Sequence, residues 1–334
     1  MKAAIHASYG QPRDVLRVVE VAAEEPAAGE VVVRMEAAAM HIADLRTIQG
    51  VVPFRFPVPR TPGFEGIGRV LRVGPEVHDL RPGDRVFPPR GSGTFREEVR
   101  CRARECLPAP EGDPVQLSLA MVNGATAAVL LEDCVSLAPG EWLIQNAANS
   151  NCGRYLITLA RLKGVRTVNV VRRVDVAEEL RALGADLVIE DGPDLAARVG
   201  AAVAGAPIRF GIDAVAGAAT QRIAECLAFG ATVASYGSMS QRRCEIDFYL
   251  LFMQDLKLIG VSFARQLTAR RTPDEIRALY SRIAELTARG VLAAKIAGTY
   301  SLERIVEACE RAALTGVDRD GKVIIRFAAE GEAV

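Results

Sequence analysis

An excess of charge of one sign, paired cysteines and long apolar runs are all missing from this 334-residue chain. Its 41 basic residues are matched by 41 acidic ones, and no long basic run or basic–aromatic stripe occurs, which argues against a nucleic-acid partner. No apolar stretch reaches the length of about 18 residues that a spanning helix needs, so no membrane association is expected. The opening MKAAIHASYG lacks the apolar core of a signal peptide. Seven cysteines (Cys101, Cys106, Cys134, Cys152, Cys226, Cys244 and Cys309) contain no CxxC pair. An odd, unpatterned set of thiols fits reduced cysteines and a cytoplasmic protein. Internal repeats and low-complexity tracts are absent as well.

What is present is enough apolar material, 50% of residues, for large cores, and a length suited to two domains. The segment WLIQNAANSNCGR at 142–154 is an apolar run that stops abruptly in small and polar residues. Beyond Gly153, Leu156, Ile157, Leu159, Ala160 and Leu162 recur at helical spacing until Gly164. Strand, tight turn and helix follow one another, and such a helix start offers backbone N–H groups to a pyrophosphate. Asn149, Ser150, Asn151, Cys152 and Gly153 are the expected cofactor-binding residues of this turn. The glycine fingerprint is degraded: Ala148 and Ser150 stand where the first two glycines would be, and Asn151 tolerates positive φ better than most non-glycine residues.

Further strands are expected at 167–171, 187–189, 209–213, 232–236 and 256–261, alternating with helical segments such as 175–183. That alternation predicts a Rossmann-type, doubly wound and mostly parallel sheet covered on both faces. The second strand ends in Arg172-Arg173, with Asp175 only after the turn, where an NAD-preferring domain has an acid. Two guanidiniums there suit the 2′-phosphate of NADPH; the alternative is a pair of solvated loop arginines. Tyr236, Gly237 and Lys322 complete the expected cofactor-binding set. Arg154 either lies near phosphate or points to solvent.

The N-terminal part reads differently. Short strands at 2–5, 30–38, 63–73, 84–86 and 94–99, punctuated by glycine and proline, predict a β-rich, partly open barrel. The proline-rich passage VVPFRFPVPRTPG cannot be helical. A helix at 117–131, interrupted at Asn123-Gly124, leads into the nucleotide-binding part. Beyond 261, helices at 273–289 and 302–314 precede a closing strand at 321–325, and the terminal AEGEAV is expected to fray.

YGQPRDVLRVVE, PGFEGIGRV, LRPGDRV, QNAANSNCG, LGAD, IDAVAG and GKVII occur in one order over nearly the whole chain. Together they resemble the medium-chain dehydrogenase/reductase superfamily. QNAANSNCG followed by TVNVVRR is most similar to the 2-enoyl thioester reductase branch, with quinone oxidoreductases next. The resemblance implies a β-rich, GroES-like catalytic domain from residues 1–117 and 262–334, with a dinucleotide-binding Rossmann domain at 118–261 inserted in it. It also implies a homodimer through the last Rossmann strand, and NADPH-dependent reduction of an activated C=C bond in a small-molecule substrate. Enones, enoyl thioesters and quinones are the expected substrate classes. A cofactor-binding protein with lost catalysis is the alternative.

Two departures from the family pattern matter. Zinc-dependent relatives have a cysteine at the position of His41 and a histidine at that of Phe64, so a three-ligand zinc site cannot be completed here and no metal is expected. Enoyl thioester reductases have a tyrosine after the segment matching Ile48-Gln49-Gly50, where this chain continues Val51-Val52-Pro53. Without it, enoyl thioesters are expected to be slower substrates than small enones or quinones. His41, where the family usually has asparagine and where the fold lies beside the nicotinamide, either takes over as proton donor or hydrogen-bonds the backbone at a strand end. Asp44 either orients His41 or caps the following helix; the two are the candidate catalytic residues. Phe54, Phe56, Phe64 and Phe263 either line an apolar pocket or fill core.

Overall fold

The computed structural model describes residues 1–52, 55–314 and 320–328; Phe54 and the terminal AEGEAV lie outside them. The chain forms two compact units, Met1–Val122 with Tyr280–Val334, and Asn123–Leu279.

In the first unit β1 (Lys2–His6) pairs with β2 (Leu16–Glu20). The larger sheet is built on β3 (Glu30–Met40), which is buried along most of its length because its small and β-branched side chains pack on both faces. One edge of β3 carries β4 (Glu65–Val73), followed by β5 (Arg85–Phe87) and β7 (Leu107–Pro108). The other edge is shared end to end. β6 (Glu98–Arg102) takes the first half of β3, and β15 (Lys322–Arg326), flanked by β14 (Ile296–Tyr300), takes the last four residues. The motif GFEGIGRV owes its glycines to this crossing. A Cβ on Gly68 would lie 2.2 Å from the Arg34 carbonyl oxygen, and one on Gly66 2.8 Å from that of Ala37, beside a register shift between Met35 and Ala37. The strand expected at 94–99 begins only at Glu98, where pairing to residues 30–34 starts; before it, the buried Thr94 hydroxyl is spent on the Glu65 carbonyl.

The second unit has six parallel strands: β8 (Trp142–Gln145), β9 (Arg166–Val171), β10 (Leu187–Glu190), β11 (Ile208–Asp213), β12 (Thr232–Ser235) and β13 (Lys257–Gly260). Their spatial order is β10-β9-β8-β11-β12-β13. Counted from β8 this is 3-2-1-4-5-6, the dinucleotide-binding order, with the topological switch beside β8. All four residues of WLIQ are buried, as a central parallel strand covered on both faces requires. The unit boundaries fall at 122/123 and 279/280 rather than at the expected 117/118 and 261/262. The reason is that the helix Phe263–Arg270 packs on the helix Ala125–Asp133, and Arg271 pairs with Glu132 at 3.0 Å and Asp133 at 2.7 Å. No helix among the described residues is long and apolar enough to cross a membrane.

A buried carboxylate organises the strand ends of this sheet. Asp213 Oδ1 accepts hydrogen bonds from Asn146 Nδ2 (2.7 Å) and from the backbone N–H groups of Val215 (2.9 Å) and Ala216 (3.0 Å). Its Oδ2 accepts from the Thr220 hydroxyl at 2.7 Å. Replacing Asp213 with alanine strands these donors in the interior and is expected to cost roughly 3 kcal/mol, read as a lower urea midpoint with an unchanged slope.

Candidate active site

Strand register alone brings three polar side chains together in the first unit. Val323 pairs with Met40 and Glu65 with Ala39, so the start of β15 and the start of β4 flank the C-terminal end of β3 on opposite sides. His41, the next residue, turns the chain into the helix Ile42–Gln49 and lies between Lys322 and Glu65. Its Nε2 bonds to Glu65 Oε1, and its Nδ1 is 3.1 Å from Lys322 Nζ. Glu65, 1% exposed, uses its other oxygen to accept the Val122 backbone N–H at 2.7 Å. Glu65 is not among the residues expected from the sequence, although PGFEG contains it; its signal is a carboxylate in the otherwise uncharged run GFEGIG.

Asp44 caps the helix that begins after His41. Its Oδ2 accepts the His41 backbone N–H at 2.8 Å, so of the two expected roles the structure shows the helix-capping one. Asp44 is 1% exposed, and burial pushes its carboxyl up to about 7. Glu65 adds to the rise, while the His41 N–H and Lys322 oppose it. Tyr280, on the helix Pro273–Ala288, also feels Glu65: burial pushes its hydroxyl up to about 12, against the pull of Arg90. Among the phenylalanines, Phe56 meets Phe64 edge to face at 6.5 Å and carries the Arg60 guanidinium at 4.1 Å, whereas Phe263 belongs to the second unit.

The turn after β8 is the corresponding feature of the second unit. Ala147 takes a positive φ of 48°, and Ser150 caps the helix Asn151–Leu162 by accepting the Gly153 N–H at 3.2 Å. Gly153 is required because its Cβ would stand 2.6 Å from the Ala148 carbonyl oxygen. Asn149 is exposed, whereas Asn151 is nine-tenths buried with neither side-chain amide atom hydrogen-bonded. The Tyr236 hydroxyl bonds to Cys152 and Ser150, and burial first, then Cys152, pushes it well above the usual phenol range. Gly237 lets the end of β12 approach the Ala214 carbonyl. Arg172 is exposed just past β9, and Arg173 sits 3.6 Å from Asp175. Arg154 does not point to solvent, the second of the two expectations. It is buried and paired with Glu179 at 3.0 Å. A helix start after the central strand, a buried Asn151 side-chain amide without a hydrogen bond and strand-end arginines fit a dinucleotide pyrophosphate and its phosphorylated ribose.

Two family models match the chain: an alcohol dehydrogenase GroES-like domain over residues 27–111 and a zinc-binding dehydrogenase over residues 152–291. The mitochondrial enoyl-acyl-carrier-protein reductase of Homo sapiens is 33% identical over 312 residues, covering 90% of this chain and 83% of the relative. That of Arabidopsis thaliana is 34% identical over 78% of this chain and 71% of the relative. The chain belongs to the medium-chain dehydrogenase/reductase superfamily. Among solved superfamily structures, a candidate NADPH:quinone reductase of Bacillus thuringiensis superposes with a TM-score of 0.89 at 26% identity, over 98% of this chain and 99% of that one. The 2-enoyl thioester reductase heterodimer of Candida tropicalis shares the fold, with a TM-score of 0.86 at 24% identity over 98% and 99% of the two chains.

The zinc of many superfamily members does not fit the residues here. A catalytic zinc takes imidazole, thiolate or carboxylate donors. His41 instead bonds a carboxylate through one ring nitrogen and an ammonium through the other, and Phe64 is the neighbour of Glu65. Among the described residues no group of three or more His, Cys, Asp or Glu side chains is arranged for a metal ion.

The Asp44 shift sets a pH dependence of stability. The folded protein holds this proton up to about pH 7, whereas a free Asp releases it near 3.8. The contribution is therefore full below the unfolded value and lost as pH rises through about 7, by at most about 4 kcal/mol. Asp44→Asn still accepts the His41 N–H but cannot ionise. Urea midpoints measured from pH 4 to 8 should fall less steeply in the variant than in the wild type.

Proposed function

We propose that this protein reduces a C=C bond activated by a carbonyl group, in an α,β-unsaturated carbonyl, an enoyl thioester or a quinone, using NADPH and no metal. The observation that carries this reading is the engagement of both His41 nitrogens by Glu65 and Lys322. In a chain of this superfamily, that arrangement puts hydrogen-bonding and proton-carrying groups where zinc-dependent members hold a Lewis acid. NADPH, when bound, supplies the hydride, which goes to the carbon β to the carbonyl. Everything else falls to the chain's own residues. Ser150, Asn151, Cys152 and Gly153 hold the pyrophosphate, with Asn149, Tyr236 and Gly237 shaping the site. Arg172 and Arg173 hold the 2′-phosphate by charge-assisted bonds. The polar string around His41 stabilises the negative charge that develops on the substrate oxygen and delivers a proton.

A homodimer is part of this reading. Phe248, Tyr249, Phe252 and Met253 are exposed on the helix Phe248–Met253, shortly before the edge strand β13 in the chain, and apolar residues grouped in this way support a covered surface there. Seven free cysteines support a reducing compartment, the cytoplasm in our reading, although relatives are named as mitochondrial. The catalytic domain would take residues 1–117 and 262–334 in the family's own division.

NADPH consumption with a panel of enones, quinones and medium-chain enoyl thioesters tests the function. Turnover with one class identifies the substrate type, and tight NADPH binding without turnover on any would make the protein a cofactor binder that has lost catalysis. With Val52 in place of the branch's tyrosine, enoyl thioesters are expected to be the slower class. Arg172→Ala combined with Arg173→Ala removes contacts worth about 1.5–3 kcal/mol each. The double variant should weaken NADPH binding at least about 10-fold and NADH binding little, measured by fluorescence titration. Equal losses for the two cofactors would remove the arginines from the site.

A further inference from the structure

We propose that Cys101 and Cys106 form a reversible redox pair, oxidised to an intramolecular disulfide by a hydroperoxide, with Cys106 as the attacking sulfur and Cys101 as the resolving one. The two sulfurs lie 3.4 Å apart in the apolar cluster of the first unit, with Cys101 9% and Cys106 3% exposed. Thiols already in contact need adjustment of two side chains to bond, and no rearrangement of the sheet. Local structure brings them together. Cys101 points inward from β6, along which buried and exposed residues alternate, and the single 3₁₀ turn Ala103–Glu105 leads directly to Cys106. Cys101 pairs with Val31, near the start of β3, so the pair stands at the opposite end of that strand from His41. No residue of the turn is buried, and its local opening is the route by which a small oxidant reaches the sulfurs.

Hydrogen bonding gives the two thiols different roles. The Cys106 S–H donates to the Arg102 carbonyl at 3.7 Å, so in the contact between the sulfurs Cys101 donates and Cys106 accepts. The bond to Cys106 first, and burial next, hold the Cys101 thiol well above the usual range, against the pull of Arg96. Cys101 thus keeps its proton, and Cys106 is the sulfur that a neighbouring S–H supports as a thiolate. That thiolate attacks one oxygen of the peroxide and the O–O bond breaks. The departing hydroxide takes up the proton that Cys106 released, which leaves a sulfenic acid and one water. The Cys101 sulfur then attacks the sulfenic sulfur; its S–H bond and the S–O bond break, and proton and hydroxide leave as a second water. Two thiols and hydrogen peroxide become one disulfide and two waters, with two electrons passing from sulfur to oxygen. Cys134 and Cys226 are placed differently: each donates to a backbone carbonyl, and burial pushes them up to about 11 and about 12. The reducing compartment proposed above keeps the pair as thiols at rest, so its disulfide is transient.

Treatment of the purified full chain with hydrogen peroxide, then denaturation, alkylation of the remaining thiols and tryptic mass mapping, tests this without any cofactor. The expected result is the loss of two of the seven thiols, a mass lower by two hydrogens, and a link between the peptides that hold Cys101 and Cys106. Cleavage after Arg102 and Arg104 puts the two cysteines in separate peptides, so the link is read directly. Dithiothreitol added to the folded protein should restore all seven thiols. In Cys101→Ser the reaction should stop at a sulfenic acid on Cys106, trapped by dimedone, whereas Cys106→Ser should give neither a disulfide nor a dimedone adduct at Cys101. A wild type in which the exposed Cys244 is oxidised while Cys101 and Cys106 stay reduced would overturn the proposal, as would a first disulfide between any other two cysteines. Dimedone on Cys101 in the Cys106→Ser variant would overturn the assignment of roles. The wild-type map decides the pairing by itself, so a serine variant that folds poorly, as judged by circular dichroism, does not shield the proposal.

Discussion

The hydrogen-bond register of β3 against its two neighbours is the constraint on which the rest of the first unit depends. Because β4 lies on one edge of β3 and β15 on the other, whatever follows Met40 is bracketed by the first residues of both strands. A one-residue slip of either neighbour would turn Glu65 or Lys322 to the opposite face and dissolve the string through His41. Gly66 and Gly68 let β4 lie close against β3 in this register, where a Cβ would meet the carbonyl oxygens of Ala37 and Arg34. Packing behind the sheet, with Leu45, Ile48, Val323 and Ile325 in one apolar cluster, holds that register from the inside.

Carboxylates at buried positions do much of the organising in both units, and they do it in different ways. Asp213 gathers donors from three chain segments and so fixes the loops at the carboxyl ends of β8 and β11, where an open parallel sheet binds its ligand. Glu65 ties the start of β4 to His41 and to the segment around Val122. Asp44 is less well compensated. Its rise to about 7 is the mark of a carboxyl buried beside a like charge, and it sits within a turn of the candidate catalytic string. Such a group is retained at a cost in stability, which is the pattern expected where placement of neighbouring groups matters more than net stabilisation.

Relatives named as enoyl-acyl-carrier-protein reductases and a close structural likeness to a candidate quinone reductase bracket the chemistry without choosing within it. The departures expected from the resemblance to the enoyl thioester branch are local: Val52 at the expected place of a tyrosine, and His41 at that of an asparagine. Both positions fall in the first unit, whereas in the second the turn after β8 leads into a capped helix despite two missing glycines. Ala147 adopts the positive φ of the turn, and Gly153 keeps the one position where no Cβ fits.

Much of the architecture was legible in the amino-acid order. Alternating strands and helices between 142 and 261 dictated a doubly wound parallel sheet, because apolar runs bounded by glycine can be buried on both faces in few other ways. The closing of helices at Gly164 and Gly184 was equally visible, since both take positive φ. Sequence also singled out His41 as a catalytic candidate, and Lys322 with the arginines after β9 as cofactor-binding candidates. It could not say that His41 touches Lys322, 281 positions away, or that Glu65 bonds its ring. Nor could it show Arg154 buried against Glu179, or residues 262–279 packing with the nucleotide-binding unit. Those facts depend on strand register and on contacts between distant segments, which local propensity does not encode. Periodicity fixes which face of an element is buried; only the assembled sheet decides which polar groups meet at its ends.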